Sequence, residues 1–264
     1  MSDRVATGSQ PGEGAKVDVL GIPVSPVPIG DFARRVENRP PGRPLTISFV
    51  NPHACYLARV HPGYTGLLRG IDVVACDGAG MVLAAHLQGH SGVRRESFDF
   101  TSMAGPVFRW ASETGVAVQL VGGKVGVSQR AAQVLREQYP DLRIIACFSG
   151  YGADVEAALD EALKGDTGLV VCGMGAPRQE RHLHALTERG WQGVGMTCGG
   201  FFDQVSRSIH YYPAWVDRLN LRFAYRLVNE PARLWRRYLW EYRFFVYGLL
   251  GALVAAPWRR DRKA

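Results

Sequence analysis

A chain of 264 residues, 47% hydrophobic and 21% charged, can bury one large core, which excludes a disordered protein. Its net charge of +7 is uneven: residues 1–206 carry 19 Lys/Arg against 20 Asp/Glu, while residues 207–264 carry 12 against 4 and hold 13 of the 27 aromatic residues. A near-neutral body with a basic, aromatic tail points to an acidic surface as partner, and no nucleic acid is expected.

Residues 1–16 lack an apolar signal core and read as a disordered leader. From Val17 short apolar segments alternate with amphipathic ones. VDVLGIPV reads as a strand and IGDFARRVENR as a helix. PLTISFVN is a strand, HACYLARVHPGYTGLLRG is helical around Pro62, IDVVACDG is a strand, and GMVLAAHLQG and TSMAGPVFRWASETG are helices. VAVQLVGG, LRIIACFSG, GLVVCGMG and VGMTCGG then read as strands, separated by helices over VGVSQRAAQVLREQYP, DVEAALDEALKG and PRQERHLHALTERG. This alternation predicts a Rossmann-like α/β domain over residues 17–206, with a mostly parallel sheet covered by helices on both faces. Ligands of such sheets bind outside the carboxyl ends of the strands.

The pattern breaks at Val205. Residues 207–264 read as a helical, basic, membrane-associating appendage. Arg243 and Arg259 bracket 15 uncharged residues, short of the roughly 20 that span a bilayer. An interfacial helix fits this segment, with a core-facing helix as the alternative.

Four strand-end loops hold the polar residues a site needs. Asn51 closes FVN. Asp77 stands between an apolar run and Gly78, placed either as a general base or as a helix cap. In GMGAPRQE, Gly173 and Gly175 allow close backbone approach, and the start of the next helix offers N–H groups to an anion. Gln179 and Glu180 there are either ligand contacts or first-turn caps. Asp203 closes CGGFFD, and Arg94 lies in a polar loop. No Asp-x-Asp pair or paired histidines suggest a metal, and no cofactor is expected. LVGG resembles a dinucleotide turn, but the following strand lacks the acid that binds ribose. Five scattered cysteines read as buried thiols.

Together these loops resemble the WecG/TagA/CpsF glycosyltransferase family: FVNPHA, ACDGAGMVLA, RRESFD, LVGG, SGYG, GMGAPRQE, CGGFFD and YRLVNEPARLWRRY, in that order. The resemblance implies an inverting, metal-independent enzyme at the cytoplasmic face of the inner membrane. It would move a sugar from a UDP-sugar onto a polyprenyl-diphosphate-linked saccharide for cell-surface polysaccharide. It places the base on Asp77 and donor contacts on Asn51, Arg94, Gly122, Gly123, Tyr151, Gly175, Gln179, Glu180, Gly200 and Asp203. It places acceptor-diphosphate or membrane contacts on Arg226, Arg233 and Arg236, and members can assemble into homo-oligomers. The rival readings are a nucleotide-sugar sensor without catalysis and a nucleotide-dependent oxidoreductase.

Overall fold

The computed structural model describes residues 15–208, 216, 225, 227–228 and 235–260. Two short antiparallel strands, β1 (Val17–Val19) and β2 (Ile22–Val24), come first. The expected single strand VDVLGIPV is therefore a hairpin, turned by Leu20 and Gly21 at φ 55° and 84°. Positive φ at both positions is what a two-residue hairpin loop requires.

Helix α1 (Phe32–Glu37) leads to β3 (Leu45–Val50). After it come α2 (His53–Val60), α3 (Tyr64–Gly70), β4 (Val73–Cys76), α4 (Ala79–Leu87) and α5 (Ala104–Thr114). The next elements are β5 (Ala117–Gly122), α6 (Val127–Gln138), β6 (Ile144–Phe148), α7 (Asp154–Leu163) and β7 (Thr167–Gly173). The domain closes with α8 (Arg178–Glu188), β8 (Val194–Thr197) and α9 (Phe201–Val205). Strands β3–β8 form a parallel sheet in the order β4-β3-β8-β7-β5-β6.

One core packs α1, α5, α6 and α9 on one face of the sheet, with Phe98, Phe108 and Phe201 meeting edge-to-face and stacked. The other packs α2, α3, α4, α7 and α8 on the opposite face. Every residue of β5 is buried, as expected for a strand covered on both sides. The predicted class, a parallel α/β sheet with helices on both faces, is the observed one.

Beyond α9 the described chain holds a π-helical turn at Arg237–Glu241 and the helix α10 (Arg243–Arg260). Helix α10 lies against α2 and α4, with Phe245 buried and its ring 3.1 Å from where a Cβ on Gly80 would stand. No helix among the described residues is long and apolar enough to cross a membrane. Arg226 and Arg233 lie outside the described residues, as does most of the expected leader.

Candidate active site

The helices that follow β5 and β7, neighbours in the sheet, leave on opposite faces. This divergence opens a crevice at the carboxyl ends of the strands, where open α/β sheets bind ligands. Glycine makes the crevice narrow at its base. A Cβ on Gly122 would stand 2.5 Å from the Gly173 carbonyl carbon, so these two strand ends need glycine to pack on each other. Gly123 continues the line, its N–H donating to the Gly173 carbonyl at 3.1 Å. Gly175, at φ 74° with open space beside it, is required by its left-handed turn.

On the far side of β8 the edge strand β4 ends in Asp77, half-buried, whose N–H donates to the Val50 carbonyl at 2.8 Å. The N-cap position of α4 is Gly78, directly after Asp77. Asn51, at the end of neighbouring β3, accepts the His53 N–H through Oδ1 at 3.1 Å, which holds the start of α2. The loop after α4 runs beside Asp77 through a bridge between Arg95 and Cys76. Arg94 is exposed and donates to the carbonyls of Ser91 and Val93 in its own loop. Its neighbour Arg95 holds the register beside the strand end. From β8, Gly200 caps α9 and Asp203 sits half-buried in its first turn. Phe201 and Phe202 anchor that turn in the core.

The start of α8 differs from the sequence expectation. The N–H groups of Arg178 and Gln179 both donate to the Gly175 carbonyl, at 3.0 and 3.2 Å. The tight turn thus consumes the donors that an anion would have used. Glu180 is fully buried. Its Oε1 accepts from Ser48 Oγ at 3.0 Å and from Gln179 Nε2 at 3.1 Å, and Thr197 Oγ1 donates to Ser48 at 3.1 Å. Burial raises its pKa above the ordinary carboxyl value. The group ties α8 to β3 and β8 beneath the crevice. Gln179, 4% exposed, keeps a buried Oε1 with no partner.

At the β6 end Tyr151 is half-exposed, and the Arg178 guanidinium lies 4.7 Å from its ring centroid. Arg178 also donates to the carbonyls of Met174 (2.7 Å) and Gly150 (3.4 Å), pinning two strand-end loops together. Sequence reasoning missed this residue; its signal was an Arg directly after the Pro of a glycine-rich turn. Beside it opens a cavity of about 390 Å³, lined among others by Tyr151, Met174, Arg178, Arg181 and His182.

His182 is buried with both ring nitrogens unpartnered, and burial holds its pKa at about 4, with Glu156 opposing and Arg189 assisting. The unfolded chain takes up this proton near the ordinary value of 6.5, so stability is present above that pH and is lost as pH falls toward 4. We expect this group to cost about 2 kcal/mol at pH 5. Thermal melts at pH 7.5 and 5 should show a smaller acid loss for His182→Leu than for the parent. An equal loss would show that His182 takes up no proton on unfolding. His53 adds to the same limb. Burial, Arg237 and His61 hold its pKa at about 3, and its Nε2 lies 2.8 Å from the Glu241 carboxylate. Arg236, exposed, stands 4.0 Å from the same carboxylate.

Among the described residues no group of three or more His, Cys, Asp and Glu could hold a metal ion. The five cysteines are free, and burial pushes Cys55 up to about 11 and Cys76 up to about 12, so neither is a thiolate near neutrality.

The order of strand ends across the sheet is therefore Asp77, Asn51, the Gly200–Asp203 turn, the Gly173–Glu180 turn, Gly122-Gly123 and Tyr151. Comparison with known proteins gives this edge a context. The chain is 28% identical over 186 residues to the UDP-Gal:alpha-D-GlcNAc-diphosphoundecaprenol beta-1,4-galactosyltransferase of Shigella boydii, covering 69% of this chain and 76% of that protein. It is 28% identical over 195 residues to the N-acetylglucosaminyldiphosphoundecaprenol N-acetyl-beta-D-mannosaminyltransferase of Bacillus subtilis (strain 168), covering 73% and 74%. The model of the Glycosyl transferase WecG/TagA/CpsF family matches residues 17–259, nearly the whole chain. With its parallel sheet and one polar edge at the strand ends, this chain belongs to the WecG/TagA/CpsF family of glycosyltransferases.

Proposed function

We propose that this enzyme transfers a sugar from a UDP-sugar to a saccharide carried on a polyprenyl diphosphate, with inversion and without a metal. The carrying observation is the alignment of Asp77, Asn51, Asp203, Gln179 and Tyr151 along one edge of the sheet. At about 4.8 Å per strand, Asp77 lies about 14 Å from the β7 turn and about 24 Å from the β6 end. A donor laid along this edge has its base toward Tyr151 and its sugar toward Asp77 and Asn51. In this reading Gln179 and Asp203 belong to the nucleoside end, and Glu180 holds Gln179 in place from below. Asp77 deprotonates the acceptor hydroxyl opposite the leaving UDP. Arg94, in the loop beside Asp77, supplies positive charge where the diphosphate charge grows.

The acceptor is lipid-linked in this reading, so the protein must reach a membrane. Helix α10 is apolar all round. Phe245, Gly248, Leu249 and Ala252 face the domain, while Val246, Tyr247, Leu250, Leu253 and Val254 are exposed. A helix apolar on both faces is stable only when its outer face is also covered. Exposed Trp235, Leu239 and Trp240, with Arg236, extend that outer face in the composition of an interfacial anchor. The cytoplasmic leaflet, anionic and next to the nucleotide pool, is the surface we assign to it.

The test is a screen of UDP-sugars against a polyprenyl-diphosphate N-acetylglucosamine in chelator, read by mass. One added hexose or N-acetylhexosamine with release of UDP is expected; no transfer from any UDP-sugar would overturn the reading. Within it, Tyr151→Ala should raise the donor KM roughly tenfold or more while leaving kcat in place, because base–aromatic stacking is worth about 1–3 kcal/mol. An unchanged KM would remove Tyr151 from the donor site.

A further inference from the structure

At the end of the sheet opposite Asp77, the starts of β7 and β8 and the loop after α1 line a second, half-open cavity of about 450 Å³. Thr167 begins β7 and Gly173 ends it, so this cavity lies about 20 Å from the crevice. Its volume is in the range of small-molecule sites. Its polar lining comes from Arg39, Arg189, Thr167 and Gln192, while Gly42 and Gly190 leave backbone at the wall.

Two of these groups are incomplete. Arg39 Nη1 and Thr167 Oγ1 are both buried with no hydrogen-bond partner, and Thr167 is only 4% exposed. Buried donors are nearly always satisfied, and an unsatisfied guanidinium is costly. Two further groups are already engaged. The Thr167 carbonyl accepts from Trp191 Nε1 at 2.9 Å, and Arg189 pairs with Glu156 at 2.7 Å and Asp160 at 3.7 Å. Arg39 has no carboxylate within ion-pair distance among the described residues.

We propose that this cavity is a second binding site, for a phosphoryl group: free phosphate or a small phosphomonoester of sugar-phosphate size. A guanidinium presents its donors in a fork that matches phosphoryl oxygens. The Thr167 hydroxyl adds a donor, and the Gln192 amide can meet a hydroxyl of the body that carries the phosphoryl group. The remaining room exceeds one phosphate ion. The site shares no residue with the crevice, so it does not depend on the proposed transfer reaction.

The test uses the full chain at constant ionic strength, titrated with sodium phosphate, with glucose 1-phosphate and with uncharged glucose, by calorimetry and by melting temperature. Saturable binding of one or both phosphoryl compounds, and none of glucose, is expected. Tighter binding of glucose 1-phosphate identifies a phosphomonoester, and equal binding identifies phosphate. Arg39→Met should weaken binding roughly tenfold or more, since it removes a charge-assisted hydrogen bond. Thr167→Val should weaken it while leaving the unliganded melting temperature equal or higher, because its hydroxyl has no partner to lose. A Tyr151→Ala/Asp203→Ala variant should bind as the parent does. Absence of saturable binding, binding unchanged in both Arg39→Met and Thr167→Val, or binding lost only in the Tyr151→Ala/Asp203→Ala variant would overturn the proposal.

Discussion

Asp77→Asn should abolish most transfer while leaving UDP binding intact. General-base assistance is worth about 10²–10⁴ in rate, and the amide has no basic lone pair to take the acceptor proton. The substitution is close to isosteric at a half-buried position. The N-cap position of α4 is Gly78, not Asp77. The donor, as we place it, contacts the Gly173–Glu180 turn and Tyr151, three and five strands away. The measurements are single-turnover transfer, calorimetric UDP binding and a melting curve to show that the fold is retained. A tenfold or larger fall in turnover at unchanged UDP affinity is the expected result. Turnover near the parent value would remove Asp77 from the chemistry. Equal loss of turnover and UDP affinity would instead move Asp77 into donor binding.

The parallel sheet was legible because its signals are local. Runs such as GLVVC and VAVQLV are apolar but for Gln119, as expected of strands buried on both faces, and each is followed by an amphipathic helix. Strand order was not legible. β7 and β8 sit between β5 and β3, a placement set by crossovers that no local pattern encodes. The hairpin at Leu20-Gly21 was missed because Leu is a rare residue at positive φ.

The candidate residues were readable as types at strand ends, but their partners were not. Glycines in the LVGG and GMG runs were read as room for a ligand. For Gly122 the close neighbour is the backbone of Gly173, and for Gly173 it is the Phe202 ring and the Cys198 sulfur. GMGAPRQE was read as an anion site because a Pro-initiated helix normally leaves N–H groups open. The carbonyl of Gly175 closes those of Arg178 and Gln179. Glu180 looks like a surface first-turn acid in sequence. Only the packing of α8 onto β3 and β8 reveals that it is enclosed and bonded to Ser48, 132 positions away. Arg178 shows the reverse case, a residue plain in sequence that gains its role by joining the β6 and β7 loops.

The appendage supplies the second large effect. The two faces of α10 should respond to substitution in opposite ways. On the outer face, Leu250→Glu with Leu253→Glu removes two half-exposed apolar side chains and adds two negative charges. Loss of apolar burial and repulsion from an anionic surface together amount to about 3 kcal/mol, roughly a hundredfold in vesicle partitioning. Both positions are about half exposed, so the melting temperature should be unchanged or raised. On the inner face, Phe245→Ala empties a buried site against α2 and α4 and should cost about 3–5 kcal/mol of stability. Co-sedimentation with phosphatidylglycerol vesicles and thermal melts separate the two. If the outer-face variant binds vesicles as the parent does, α10 is not the anchor, and a protein partner must cover its apolar face instead. If it loses vesicle binding yet still transfers to a short water-soluble acceptor, the anchor serves only to bring the site to a membrane-bound substrate. That separation follows from the geometry. Asp77 and the crevice lie at the strand ends of the domain, while the exposed stripe lies on the far side of α10 from α4, the helix that follows Asp77.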